Sequence, residues 1–166
     1  MDVNARVWEL IQRGRVAQPA NQLLPKYNAL ADPPGAEELG RLLAEGIRPL
    51  GATIAVVWDD VGDAVLGYVV GRELGVPVVR CYNAEGLVGF VGPLPAASRA
   101  VLVADAFRDV ADVRAMRALV AQQGGTVVAA AALMATEVLA EIPSAFSLVA
   151  APEEMADGEH VRGDAR

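Results

Sequence analysis

The stretch that decides the fold is Val101-Leu102-Val103-Ala104-Asp105-Ala106-Phe107-Arg108-Asp109-Val110-Ala111-Asp112-Val113. An apolar run, an aspartate-rich turn and a helical segment in succession describe a strand that feeds a helix. A loop in that position that cradles phosphate needs glycines for close backbone approach, hydroxyls to donate hydrogen bonds, and a free helix N-terminus. Residues 109–113 are Asp, Val, Ala, Asp and Val instead. Carboxylates there repel phosphate and accept the first-turn N–H groups themselves, so Asp109 and Asp112 are expected to fill the anion site from within.

Downstream, a helix over about Asp112 to Gln123, a stop at Gly124-Gly125 and a strand over Thr126 to Leu133 complete a β-α-β unit. Upstream, residues 2–13 read as a helix with Val7, Leu10 and Ile11 on one face, followed by a segment broken at Pro19, Pro25 and Pro33-Pro34. After Gly35 a helix runs to about Arg48, with Leu39, Leu42, Leu43 and Ile47 at helical spacing, and Pro49 ends it. Ala52 to Trp58 is a strand, Asp63 is the expected N-cap of a helix to Leu74, and Gly75 stops it. Val76 to Arg80 and Leu87 to Val91 are strands on either side of a polar turn, Tyr82 to Gly86. Strands alternating with helices, with β-branched runs, predict one α/β domain over 1–151 whose mostly parallel sheet is covered by helices on both faces. Residues 152–166 are polar and acidic and are expected to form a disordered tail.

Composition excludes several classes. The 166 residues are 54% hydrophobic and 21% charged, which suits a packed globule and not a disordered chain. A net charge of -7 without a basic stripe argues against nucleic acid as a partner. The lone Cys81 forms no intrachain disulfide, and His160 lies in the polar tail away from any metal-ligand spacing. The first residues lack a signal-peptide apolar region and no apolar run is long enough for a membrane span, so no membrane role and a cytoplasmic location are expected.

The strand-acid-helix frame resembles the signature of the type I phosphoribosyltransferases. In that family an apolar strand is followed by two acids and a Thr-Thr-Gly-Gly-Thr-like loop that grips the 5-phosphate of phosphoribosyl pyrophosphate. Asp105 matches the first acid, which implies a ribose contact; Ala106 replaces the second, Arg108 stands at an apolar position, and the loop's glycines and hydroxyls are gone. The likeness extends from about Trp8 to Ala135 and is greatest to orotate phosphoribosyltransferase. Pro25-Lys26-Tyr27-Asn28-Ala29-Leu30-Ala31-Asp32-Pro33 is similar to that enzyme's opening segment and implies that Lys26 and Tyr27 contact ligand, although a lysine in a loop also suits plain solvation. Trp58-Asp59-Asp60-Val61-Gly62-Asp63-Ala64 stands in the place of the pyrophosphate loop with one glycine kept and three acids added. Arg80-Cys81 stands where an Arg-Lys pair is usual, and Tyr82 to Gly86 is similar to a shortened catalytic loop without its basic residues. Arg80 equally suits a strand-end position, and Cys81 a packed one.

Both loops thus change in the same electrostatic direction. Asp59, Asp60 and Asp63 after one strand and Asp105, Asp109 and Asp112 after another place acids at the carboxyl edge of the sheet, where open α/β folds bind ligands. They are helix caps with solvated neighbours, or a site for a divalent cation such as Mg on Asp59, Asp60 and Asp63, or a phosphoribosyl site using Lys26, Arg80 and Arg108 on phosphates. The expectation is a phosphoribosyltransferase-like protein with degenerate phosphate loops, non-catalytic, acting as a small-molecule-binding or partner module. The alternative is an active transferase of unusual substrate preference. The resemblance also implies a homodimer.

Overall fold

The computed structural model describes residues 3–16 and 24–150. The expectations for Pro19 and for the tail 152–166, with His160, lie outside these residues. Helix α1 spans Val3–Arg13, and a two-residue strand β1, Arg15–Val16, pairs antiparallel with β2, Lys26–Tyr27. Then follow α2 (Pro33–Ile47), β3 (Ile54–Trp58), α3 (Val61–Leu74), β4 (Val78–Ala84), β5 (Leu87–Val91), β6 (Arg99–Ala104), α4 (Val110–Gln122), β7 (Thr126–Met134) and β8 (Ala145–Val149). Six strands form one sheet in the order β5-β4-β3-β6-β7-β8, parallel except for the antiparallel β4–β5 edge.

Strand alternation divides the core into two layers. Ala55, Val57, Val101 and Val103 turn to the side of α1, α2 and α3. Ile54, Val56, Ala100 and Leu102 turn to the side of α4, against Val113, Met116 and Val120. A central strand flanked on both faces reads as an unbroken apolar run, which is why 101–104 lacks alternation in sequence. Each aliphatic side chain fully buried in this way contributes about 1.5–3 kcal/mol.

Five local expectations are corrected. The helix expected after Gly35 begins at Pro33, because Asp32 caps it through Gly35 N–H at 3.2 Å and Pro33-Pro34 occupy first-turn positions that need no N–H. The cap of α3 is Asp60, whose Oδ1 accepts Gly62 N–H at 3.0 Å; Asp63 lies inside the first turn. Helix α4 starts at Val110 on an Asp109 cap, earlier than Asp112. The turn expected over Tyr82 to Gly86 shrinks to Glu85-Gly86, with φ of 53° and 85°, a tight hairpin turn in which both central residues are left-handed. Strand β8 was not foreseen; its Ala-Phe-Ser-Leu-Val is a short alternating segment recruited by pairing with β7.

Candidate functional site

Strands β3 and β6 are neighbours and parallel. The first continues through α3 to β4 on one side and the second through α4 to β7 on the other, so their carboxyl ends flank the crevice where strand order reverses. The connections Asp59-Asp60 and Asp105 to Asp109 and the strand β2 meet there. They enclose a cleft of about 200 Å³ whose polar lining is five carboxylates, Asp60, Asp63, Asp105, Asp109 and Asp112, and two cations, Lys26 and Arg108.

Asp105 is 3% exposed and forms the floor. Its Oδ2 accepts Tyr27 N–H at 2.9 Å and its Oδ1 accepts Ala106 N–H at 2.6 Å. Arg108 reaches the same carboxylate with both arms, Nη1 to Oδ1 at 2.7 Å and Nη2 to Oδ2 at 3.0 Å. It also donates to the carbonyls of Ala106 at 3.1 Å and Pro25 at 3.0 Å. The Asp105 carboxylate therefore has four donors from its own chain, and Arg108 ties the Pro25 segment to the β6–α4 connection. Burial works against the Arg108 charge, but the bonds and charge of Asp105 outweigh it and its pKa lies above the usual value.

Asp63, 8% exposed, accepts the N–H of Asp105 at 2.9 Å. Burial and the neighbouring Asp105 charge push its carboxyl up to about 7. Asp60 caps α3 with one oxygen and accepts from Lys26 Nζ at 2.5 Å with the other. Burial raises its pKa, the lysine and the cap bonds lower it, and the net value is below the ordinary one; the pKa of Lys26 is raised by the same bond. Asp109 caps α4 through Ala111 N–H at 2.8 Å. Asp112, half-buried in the first turn, has its carboxyl pushed up by burial and by Asp109.

Three sequence candidates fall elsewhere. Tyr27 reaches the site only through its backbone N–H, since its side chain is 1% exposed in the core, with burial raising the phenol to about 12. Arg80 pairs with Asp59 on the outer flank, beside a second groove, and not over the cleft. Asp59, Asp60 and Asp63 thus turn to three different partners, and among the described residues no three His, Cys or acidic side chains converge on one metal position. The acids as arranged do not fit a Mg site. Cys81 is fully buried, and burial pushes its thiol up to about 11.

Sequence reasoning missed the apolar walls Trp58 and Phe107. It also missed Thr136, whose hydroxyl donates to Phe107 O at 2.7 Å and accepts Leu139 N–H at 3.1 Å, fixing the loop from the β7 side. Position at a strand's carboxyl end was the signal available for Trp58.

An adenine phosphoribosyltransferase from Rhodothermus marinus superposes with a TM-score of 0.70 at 15% identity, over 88% of this chain and 99% of that one. The fold is that of the phosphoribosyltransferases. A phosphoribosyltransferase from Corynebacterium diphtheriae matches with a TM-score of 0.69 at 18% identity over 90% and 96% of the two chains. The orotate phosphoribosyltransferase of Mycobacterium tuberculosis, in complex with inorganic phosphate, matches with 0.65 at 18% over 89% and 95%. No family model and no curated protein matches the sequence. Among the described residues no helix is long and apolar enough to cross a membrane.

Proposed function

We propose that this chain is a cytoplasmic, homodimeric protein of phosphoribosyltransferase fold, orotate-type in its opening segment, that no longer binds phosphoribosyl pyrophosphate and serves as a ligand-binding or partner module. The observation that carries this is the closed set of internal pairs at the crevice. Asp60 and Asp109 occupy the N-termini of α3 and α4, the positions that would hold phosphate groups, and the two cations of the cleft are held by Asp60 and Asp105. A polyanion would have to displace these carboxylates and desolvate a cleft in which acids outnumber bases.

Titration calorimetry with phosphoribosyl pyrophosphate and Mg tests it, with no heat of binding expected at micromolar concentrations. Micromolar affinity would overturn the reading and favour an active transferase of unusual preference. A thermal-shift screen with orotate, adenine and nucleotides then searches for the ligand, since a compound bound to the native state raises apparent stability.

A further inference from the structure

Acids outnumber bases in this chain, 21 to 14, yet from Val113 to Thr136 there is no acid and the only charges are Arg114 and Arg117. Both stand exposed on the outer face of α4. With Ala118 and Ala121 they occupy positions i, i+3, i+4 and i+7, so the four form one stripe along the helix. Between that stripe and Gly125, Thr126 and Val127 at the start of β7 runs a groove of about 410 Å³, separate from the cleft and from the groove beside Arg80. Its two alanines and its glycine leave the space that longer side chains would fill.

Arg114 already takes one acid from outside the helix. Glu141, on the connection between β7 and β8, accepts from its Nη2 at 3.3 and 3.5 Å. Arg117, one turn further along the same stripe, has no such partner among the described residues. Exposed pairs are individually weak, so an occupant of this groove must bring several acids together or be held close to it.

We propose that the chain's own residues 151–166 dock in this groove. Their charge is complementary to it: Glu153, Glu154, Asp157 and Glu159 follow one another with no base between them, and Met155 offers an apolar side chain to the alanines. Their point of attachment is also suitable. The described chain ends at Ala150, just after β8, which pairs with the far end of β7 through Val149 and Met134. From Met134 back to Thr126 at the groove is on the order of 26 Å along the strand. An extended chain covers about 3.3–3.6 Å per residue, so Glu153 to Glu159 come alongside the groove from its Arg114 end to its Thr126 end. Tethering to β8 raises the effective concentration of the segment, so a few weak pairs suffice where a separate acidic protein would need a stronger set. The inference stands apart from the reading of the cleft, and binding of phosphoribosyl pyrophosphate would overturn that reading while leaving this one untouched.

Cys81 is fully buried, so a nitroxide reagent applied to the full chain carrying Ala156→Cys labels the new thiol. In amide spectra of this isotope-labelled chain, diluted with unlabelled copies, the signals of residues 114–127 should lose most of their intensity. Arg117→Glu should restore them, and so should about 0.5 M salt, which screens exposed charges. Full intensity in the undisturbed chain overturns the inference, as does a loss that persists through both the substitution and the salt. Broadening seen only when isotope-labelled chains are mixed with separately spin-labelled ones places the segment on a neighbouring copy and also overturns it. If Arg117→Glu does not fold, neutralising the segment by Glu153→Gln, Glu154→Gln, Asp157→Asn and Glu159→Gln must restore the signals, and persistent broadening refutes the docking.

Discussion

Arg108 holds both oxygens of Asp105, three residues before it in the chain, at 2.7 and 3.0 Å, while Asp105 also takes the N–H of Tyr27 from the far side of the cleft. The ion pair is thus part of the wall of the crevice as well as its chemistry.

Removing the guanidinium leaves a carboxylate 3% exposed without its counter-charge. Breaking a buried pair on one side costs more than the pair itself contributes. Because the Arg108 side chain is 36% exposed, water compensates part of the loss, and Arg108→Ala should destabilise by roughly 2–4 kcal/mol. Arg108→Lys, which cannot bind in two-armed fashion, should recover less than half of it. Urea melts of the two variants measure this, and an Arg108→Ala protein as stable as wild type would show that the pair is not structural.

Asp63 gives a pH dependence of defined sign. Its carboxyl rises from 3.8 to about 7 on folding, so the folded chain holds this proton more tightly than the unfolded one. Stability from the neutral form is therefore complete below about pH 4 and is lost as pH rises through about 7. Asp63→Asn keeps an acceptor for the Asp105 N–H without a charge. It should match wild type near pH 4 and exceed it at pH 8 by on the order of 2–4 kcal/mol. Equal stabilities at pH 8 would refute the raised titration.

The two acids of the first turn of α4 should behave oppositely. Asp109→Ala removes the cap on Ala111 N–H and should cost about 1 kcal/mol, with Asp109→Asn nearly neutral. Asp112 is the N-terminal helix acid that its surroundings resist ionising, so Asp112→Asn should be neutral or slightly stabilising. Thermal melts at neutral pH distinguish them, and equal losses for Asp109→Ala and Asp112→Ala would mean that both acids cap.

The Tyr27 hydroxyl is buried and, among the described residues, has no hydrogen-bond partner. Tyr27→Phe removes a desolvated polar group and keeps the ring and the N–H to Asp105, so stability should rise by up to about 1 kcal/mol. A loss would show that the hydroxyl is satisfied in solution.

The amino-acid sequence by itself determined the α/β class, the strand at 101–104 and the acidic character of the crevice, because these follow from local apolar runs and from charges that no packing can change. One of its readings, drawn from the resemblance, grouped Lys26, Arg80 and Arg108 with Asp105; Lys26 and Arg108 line the Asp105 cleft, whereas Arg80 pairs with Asp59 beside another groove. The partners of each charge were decided only by tertiary structure. Asp59, Asp60 and Asp63 are neighbours along the chain, yet the start of α3 turns one outward to Arg80, one toward Lys26 and one into the floor beneath Asp105. The direction of a side chain depends on where its helix begins, and a cap shifted by three residues, from Asp63 to Asp60, reassigns all three. The same holds for Tyr27, which local sequence sets beside a lysine that lines the cleft while packing against Gly14 draws its ring into the core. Strand β8 and the groove between α4 and β7 belong to the same class, since edge position and the spacing of a helix from a strand are properties of the assembled sheet.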